Sequence, residues 1–102
     1  LSSVERYDPA LDTWEAVAPM AAARTDFGVA VLDGKLYAVG GREADGATSN
    51  LLERYDLATN AWEEVAPMAT GRSYHAVAEL DGKLYAVGGY DGDFLTSVER
   101  WE

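Results

Sequence analysis

The residues of this sequence that could carry chemistry are few, and the single histidine is His75. A zinc site needs about four nitrogen, sulfur or oxygen ligands, whereas the sequence offers no cysteine and no second histidine. We interpret His75 as a polar residue that begins a strand, and a metal site that gathers His75 from three chains around a ring axis is the alternative. The run Asp91-Gly92-Asp93 lacks the spacing and the closing glutamate of an EF-hand loop. We interpret it as a turn.

No catalytic set is visible either. The carboxylates recur in repeated surface contexts such as Val4-Glu5-Arg6-Tyr7-Asp8, whereas a catalytic pair is expected once. The pair Gly40-Gly41 is not part of a Gly-x-Gly-x-x-Gly pattern and precedes no predicted helix, so it does not indicate a phosphate site. The sequence therefore predicts no catalytic residues, no cofactor, no metal and no enzymatic activity.

The charge of the chain excludes other function classes. Eighteen acidic and eight scattered basic residues give a net charge of −10, and no basic stripe is present. Nucleic-acid binding requires such a stripe, and anionic membranes repel an acidic chain. No run reaches the ~18 consecutive apolar residues of a membrane span. We therefore expect a soluble chain that has no nucleic-acid or membrane partner and is cytoplasmic if natural.

An internal repeat governs the rest of the chain. The run Val4–Asp8 returns as Leu52–Asp56, a shift of 48 residues, and a third copy, Val98–Glu102, follows after 46. Such a period indicates a repeat architecture. Lys-Leu-Tyr-Ala-Val-Gly-Gly and Val-Ala-Pro-Met-Ala occur verbatim in both repeats, which favours a consensus-designed or otherwise engineered origin. The same shift of 48 relates Trp14 to Trp62, Met20 to Met68, Arg24 to Arg72 and Gly40-Gly41 to Gly88-Gly89.

Each repeat is predicted to form four short strands. The segment from Phe27 to Leu32 leads into Asp33-Gly34 and then a second β-rich run, and Asp81-Gly82 repeats this arrangement. An Asp-Gly pair between two such runs predicts a hairpin, because a type I′ turn needs positive φ at both central residues. No segment places apolar residues at helical spacing for three turns. The prediction is an all-β chain.

The conserved spacing within the two copies resembles the kelch repeat: a glycine pair, a tyrosine and tryptophan seven residues apart, Pro-Met and an arginine. The resemblance covers essentially the whole chain and implies β-propeller blades, each a four-stranded antiparallel sheet with strands a to d from the channel outwards. The order in this chain is then c-d, a-b-c-d, a-b-c, with two blades per chain. The signature residues are Tyr7, Trp14, Arg24, Gly40, Gly41, Tyr55, Trp62, Arg72, Gly88 and Gly89.

This strand order predicts one domain, 1–102, with a complete blade at about 27–68 and part-blades at 1–20 and 74–102. Blades cannot bury their faces alone, and propellers close about 4–8 of them into a ring. Ring completion by oligomerisation follows, and three copies with two blades each predict a homotrimer. Two repeats do not determine the blade number. Residues 1–7 and 95–101 would compete for one strand position in the shared blade.

Function is expected where the repeats differ, because loops carry recognition on rigid scaffolds. The resemblance implies that the b–c and d–a loops line one mouth of the channel and hold a partner's peptide, and that the arginines are structural. Because the tyrosines and tryptophans recur in every repeat, we expect them to pack between blades rather than to form an aromatic ligand platform. The candidate peptide-binding residues are Asp26, Arg42, Asp45, Tyr74, Tyr90, Asp91 and Phe94.

The sequence alone therefore indicates two possible functions. The first is a non-enzymatic, self-assembling propeller scaffold of engineered origin. The alternative is a protein- or peptide-binding kelch module, or a fragment of a longer kelch propeller. A mixture of carboxylates and aromatic residues in the loops would suit a basic or arginine-containing peptide.

Overall fold

A computed structural model describes residues 1–101 as an all-β chain with antiparallel pairing throughout. Among these residues there is no helix of the length and hydrophobicity needed to cross a membrane. The strands are β1 Val4–Asp8, β2 Thr13–Val17, β3 Arg24–Thr25, β4 Gly28–Leu32, β5 Lys35–Val39, β6 Arg42–Glu43, β7 Leu52–Asp56, β8 Ala61–Val65, β9 Ala76–Leu80, β10 Lys83–Val87 and β11 Val98–Trp101.

The strands form three principal sheets of unequal size. The central sheet has four strands in the order β4-β5-β7-β8. The N-terminal hairpin consists of β1 and β2, and the C-terminal sheet has the order β9-β10-β11. The central sheet is thus the one that contains all four strands of the repeat.

The innermost hairpin of each repeat forms as predicted. Asp33 and Gly34 have φ values of 51° and 73°, and Asp81 and Gly82 have 51° and 78°. Positive φ at both central residues is the signature of a type I′ turn, whose twist matches that of the flanking strands. The Asp-Gly prediction is confirmed.

The first strand of this hairpin starts later than predicted. Asp26 has a φ of 56°, and β4 begins at Gly28 rather than Phe27. A left-handed residue turns the chain out of the extended conformation, so pairing starts after it. The short ladder between β3 and β6 was not predicted, because two-residue strands carry no periodicity. It pairs Arg24 with Glu43 and Thr25 with Arg42.

The core lies between the central and C-terminal sheets, which stack face to face. Leu32, Tyr37 and Val39 of the central sheet are buried against Leu84 and Ala86. The sheets approach most closely at Gly28, where an added Cβ would lie 2.3 Å from Cγ2 of Val77. A side chain at this position would therefore force the inner strands apart.

The repeated aromatic residues are not equally buried. Tyr55 is buried, and its ring lies 5.3 Å from that of Trp62. Tyr7 and Trp14 form the same pair at 5.5 Å, but both are exposed. For Tyr7 and Trp14 the expectation of packing between blades therefore stays a prediction. The reason is physical: no sheet lies beyond the N-terminal hairpin within residues 1–101.

Candidate functional site

Two buried arginines hold the loops together at one end of the sheets. Arg24 donates from Nη1 to the carbonyl oxygens of Gly40 (2.9 Å) and Leu51 (3.2 Å), and from Nη2 to Oε2 of Glu53 (2.9 Å). The side chains of Arg24 and Glu53 are both fully buried. Burial lowers the pKa of Arg24, and Glu53 opposes this shift. The guanidinium thus joins the loop before β4 to the loop after β5.

Arg72 repeats this arrangement in the C-terminal sheet. Its Nη1 donates to the carbonyl oxygens of Gly88 (2.9 Å) and Ser97 (2.8 Å), and its Nη2 donates to Oε2 of Glu99 (2.9 Å). The Glu99 side chain is 24% exposed. Burial raises the pKa of Glu99, but hydrogen bonds from Arg72 and two backbone N–H groups outweigh it, so the pKa is lowered overall.

The loops of the two repeats meet at the same end of the molecule. The hydroxyl of Thr48 donates to the carboxylate of Asp91, which links the loop after β5 to the loop after β10. The N–H of Tyr74 donates to the carbonyl oxygen of Asp26 at 3.0 Å, which links the two loops that precede the innermost strands. These contacts create a loop face that spans both repeats.

All seven candidate peptide-binding residues lie in these loops, with different exposures. Phe94 is 86% exposed and Tyr74 is 65% exposed. The Tyr90 ring lies 5.8 Å from that of Phe94 in an edge-to-face arrangement. Asp45 is exposed, whereas Arg42 is half-buried in β6. The structure thus brings Asp26 to Tyr74 and Tyr90 to Phe94, while Asp45 and Arg42 lie in the first repeat's own loop.

His75 lies just before β9 and faces the central sheet. A Cβ added to Gly40 would lie 2.9 Å from Cε1 of His75. Burial lowers the pKa of His75, the backbone at Val39 opposes this, and the charge of Arg72 lowers it further. Neither ring nitrogen has a hydrogen-bond partner within the described part of the chain.

Ser73 carries a hydroxyl two residues before His75. The hydroxyl of Ser73 donates to the carbonyl oxygen of Tyr90 at 3.3 Å, and no hydrogen bond joins Ser73 to His75 within residues 1–101. Over the same residues, no group of three or more histidine, cysteine or acidic side chains could hold a metal ion. His75 is therefore a packed interface residue in this structure.

Two unlike sheet faces are exposed at the ends of the stack. The leading face is the side of the central sheet that bears Val29, Val31 and Leu36. The hairpin covers only the outer part of this side and leaves a recess of about 270 Å³ beside Val29 and Leu36. The exposed residues Val29 and Val31 belong to β4, whose far side is packed on the C-terminal sheet.

The trailing face is the outer side of the C-terminal sheet and bears Leu80, Tyr85, Val87 and Val98. Leu80, Val87 and Val98 are exposed. Strand alternation places this face opposite Leu84 and Ala86, which are buried against the central sheet. Both ends of the stack therefore present apolar sheet surface.

The comparison with protein families agrees with this architecture. The family model of the kelch motif matches residues 1–21, 23–69 and 71–102. The chain belongs to the kelch-repeat family. Its kelch sheets are similar to those in the structure of YjhT, with a TM-score of 0.77 and 28% sequence identity over 88% of this chain and 29% of that chain. The fold is of the β-propeller type.

Curated kelch proteins match shorter parts of the chain. It is 45% identical over 51 residues to kelch-like protein 33 of Homo sapiens, which covers 50% of this chain and 10% of that protein. It is 56% identical over 41 residues to kelch-like protein 1 of Mus musculus, covering 40% and 6%. The matches thus span a tenth or less of these relatives.

The kelch glycine pair has a clear steric role. Gly41 has a φ of 98°, and a Cβ there would lie 2.5 Å from the carbonyl oxygen of Thr25. Gly89 has a φ of 102°, and a Cβ there would lie 2.7 Å from the carbonyl oxygen of Ser73. The second glycine of each pair therefore lets the loop before the innermost strand pass directly over it.

Sequence reasoning missed the acidic partner of each kelch arginine. Glu53 and Glu99 were interpreted as repeated surface carboxylates, but Glu53 is fully buried. The available signal was the recurrence of this glutamate together with the arginine. The third copy, Glu5, has no ion pair within residues 1–101.

Proposed function

We propose that this chain is a non-enzymatic propeller building block that associates head to tail with copies of itself, with the trailing face of one copy on the leading face of the next. One observation carries the proposal: the two exposed faces are repeat equivalents of the two halves of the buried interface. Leu80, Tyr85 and Val87 correspond to the core residues Leu32, Tyr37 and Val39, each 48 residues earlier.

The leading face corresponds to the other half of that interface. Val29 and Leu36 are the equivalents of Val77 and Leu84, which pack on the central sheet from the C-terminal side. The internal interface is thus a template for an interface between copies. Because the two faces are unlike, the contact is heterologous, and such contacts close into rings when the rotation between copies permits it.

A closed ring explains how the exposed surfaces would be used. Propellers contain about 4–8 blades, and three copies with two repeats each give six. Exposed apolar faces and open strand edges otherwise promote aggregation. The verbatim repeats support an engineered scaffold, because a symmetric ring needs near-identical interfaces.

Light scattering coupled to size-exclusion chromatography, over a range of concentrations, tests the association. We expect one species at three times the chain mass of 11.0 kDa. Val29→Lys blocks the leading face and Leu80→Lys blocks the trailing face, so each variant alone should be monomeric. Their mixture should form a heterodimer, because each variant retains the face that the other lacks. Leu11→Lys, in the exposed turn between β1 and β2, is the matched control.

Some results would contradict head-to-tail association. A wild-type chain that stays monomeric at all concentrations excludes it. A mixture of Val29→Lys and Leu80→Lys that remains monomeric, while the wild type forms trimers, would show that the copies meet through other surfaces.

The loop face supports a second function, recognition of a protein or peptide. The contacts between Thr48 and Asp91 and between Tyr74 and Asp26 hold loops of both repeats in place. Phe94 is exposed beside Asp93, whose Oδ1 accepts a hydrogen bond from the Phe94 N–H. We propose a basic peptide as the ligand, because aromatic rings and carboxylates both attract arginine.

A peptide array that pairs arginine-rich with neutral sequences tests this second function. We expect preferential binding of the basic peptides and at least a tenfold loss in the Phe94→Ala variant. Leu57→Ala, in the exposed turn between β7 and β8 at the other end of the sheet, should bind like the wild type. Binding without charge preference would contradict the proposal.

A further inference from the structure

The strand β11 and the strand β1 carry the same part of the repeat. β11 pairs with the edge of β10 in the register Val87↔Val98, as β7 pairs with β5 in the register Val39↔Leu52. β1 begins with Val4, the equivalent of Leu52. Within residues 1–101, β11 has no strand on its outer edge, whereas β1 is paired with β2. The chain therefore contains two versions of one strand, β1 and β11. Only β1 is paired with a fourth strand, β2, but it is β11 that occupies the edge of β10.

The repeated glutamate differs in its environment in each version. Glu53 is fully buried with Arg24, and Glu99 pairs with Arg72 but remains 24% exposed. Glu5, on β1, is exposed. An arginine pairs with the glutamate at this repeat position in both other copies, so the N-terminal hairpin carries a carboxylate suited to Arg72.

The hydrogen bonds made by the fourth strand, β8 in the central sheet and β2 in the hairpin, also differ between the copies. In the central sheet, Trp62 Nε1 donates to the carbonyl oxygen of Ala18 at 2.7 Å, and Oδ1 of Asn60 accepts from the Ala18 N–H at 3.0 Å. The equivalents on the hairpin are Trp14, which is 66% exposed, and Asp12. The equivalent of Ala18 is Ala66, which lies next to the C-terminal sheet and is exposed. The hairpin thus carries a tryptophan N–H that could bond the carbonyl oxygen of Ala66 and a carboxylate that could bond its N–H.

We propose that β11 is a placeholder strand, displaced when copies associate by the N-terminal hairpin of a second copy. This inference rests on the proposed head-to-tail association and specifies its geometry. Incoming β1 pairs with β10 in the register of β7 on β5, and Arg72 exchanges Glu99 for Glu5 of the second copy. Trp14 of the second copy donates to Ala66. The C-terminal sheet then contains four strands.

Replacement of β11 by the incoming hairpin is favourable, and the need to displace β11 limits association. The incoming hairpin replaces all the pairing of β11 and adds β2, which buries Trp14 and closes an open strand edge. Because β11 must leave first, only the fraction of molecules with a free β10 edge can bind, and the apparent affinity falls by that fraction. β11 therefore limits association at low concentration.

Disulfide trapping in the full chain tests the exchange, since the sequence has no cysteine of its own. Facing residues of an antiparallel pair have Cα atoms about 4.5–5.5 Å apart, within disulfide range. Val87→Cys with Val4→Cys should form disulfides between copies and give a covalent ladder on a non-reducing gel. Val87→Cys with Val98→Cys should form a disulfide within the chain and lock it as a monomer until reductant is added.

The outcomes separate this inference from the proposed function. Uncrosslinked Val4→Cys/Val87→Cys protein in a preparation that light scattering shows to be trimeric would mean that rings form without exchange. Assembly of the oxidised Val87→Cys/Val98→Cys variant would overturn the inference in the same way. A wild-type monomer at every concentration overturns both the inference and the proposed association.

Two conservative variants provide a test that leaves the strands intact. Glu5→Gln removes the charge that pairs with Arg72 only after exchange, so the apparent dissociation constant should rise at least tenfold with the monomer's urea midpoint unchanged. Glu99→Gln weakens the placeholder, so the monomer's midpoint should fall and association should strengthen. Weaker association in Glu99→Gln with wild-type association in Glu5→Gln would show that β11 stays in the ring.

Discussion

The central and C-terminal sheets contain the same arginine–glutamate pair, and they differ in how well it is enclosed. Arg24 and Glu53 are fully buried, whereas Glu99 is 24% exposed beside a fully buried Arg72. The sequences around the two pairs are nearly identical. The difference comes from the neighbouring strand: β8 lies beyond β7, the strand of Glu53, and no strand lies beyond β11 within the described residues. Burial of this pair therefore depends on whether a fourth strand completes the sheet.

The strongest test of this comparison removes each arginine in turn. Arg24→Met leaves the Glu53 carboxylate buried without a counter-charge and two carbonyl oxygens without their donor, and should cost about 3–5 kcal/mol of unfolding free energy. Arg72→Met should cost less, about 1–3 kcal/mol, because solvent reaches Glu99. Urea unfolding followed by circular dichroism measures both.

A double variant sharpens the result. Arg24→Met combined with Glu53→Leu removes both charges and should recover much of the stability lost in Arg24→Met, because an apolar pair tolerates burial. Equal losses for Arg24→Met and Arg72→Met would contradict the idea that the outer strand of the sheet sets the energetics of the pair.

The glycine pairs allow a second comparison with matched backbone strain. Gly40 and Gly88 both have a φ of 64°, so alanine is strained to the same extent at both positions. A Cβ on Gly40 would also lie 2.7 Å from the carbonyl oxygen of Arg72, whereas on Gly88 the nearest atom is the carbonyl oxygen of Leu95 at 3.3 Å. Gly40→Ala should therefore lower the free energy of unfolding by about 1–3 kcal/mol more than Gly88→Ala does, because overpacking adds this cost.

The same urea titration measures both alanine variants, with the protein kept at a concentration where it is monomeric. Equal destabilisation would mean that backbone strain dominates and that the contact between the sheets relaxes easily. In assembled protein the difference should shrink, because a second copy would then crowd Gly88 as Arg72 crowds Gly40.

Much of the fold could be predicted because its signals are local. The Asp-Gly turns follow from the φ values that a type I′ turn requires, and the strands on either side follow from β-rich composition. The ladder between β3 and β6 escaped prediction because it joins segments of two residues without periodicity. The start of β4 was misplaced because nothing in the residue type of Asp26 demands positive φ.

The candidate site was less predictable, because it depends on contacts between repeats. Comparing the repeats identified the variable loops, but not the bond from Thr48 to Asp91 that joins them, since the two residues are 43 positions apart. Sequence comparison likewise could not show that Trp14 is exposed while its equivalent Trp62 donates to Ala18, because that depends on which sheet lies beyond each one.

Phe27 and His75 occupy equivalent positions in the two repeats, but only His75 can bind a proton as the pH falls. Burial lowers the pKa of His75 below its ordinary value of 6.5, so the unfolded chain binds the proton more readily than the folded chain. Stability should therefore be complete above about pH 6.5 and should fall as the pH drops from there through the folded-state pKa. His75→Phe, which copies the first repeat, should abolish this slope.

Urea midpoints measured between pH 5 and pH 8 give the slope. The lowered pKa of Glu99 contributes in a different window, below its ordinary value of 4.5, so it should not obscure the result. A wild-type midpoint that is constant over this range, or a slope that persists in His75→Phe, would show that the ring is hydrated or finds a partner on protonation.

The smallest expected effect comes from the ion pairs on the outer strands, which also recur in both repeats. Arg6 pairs with Glu15 and Arg54 pairs with Glu63, and each pair remains in contact with solvent. Exposed pairs gain little, because water screens the charges and ordering two long side chains opposes the attraction. Glu15→Gln and Glu63→Gln should therefore leave the urea midpoint unchanged within error, although they sever contacts as short as those of Arg24. A large shift in either would mean that contact geometry, and not enclosure by neighbouring strands, determines the contribution of a charge pair to stability in this fold.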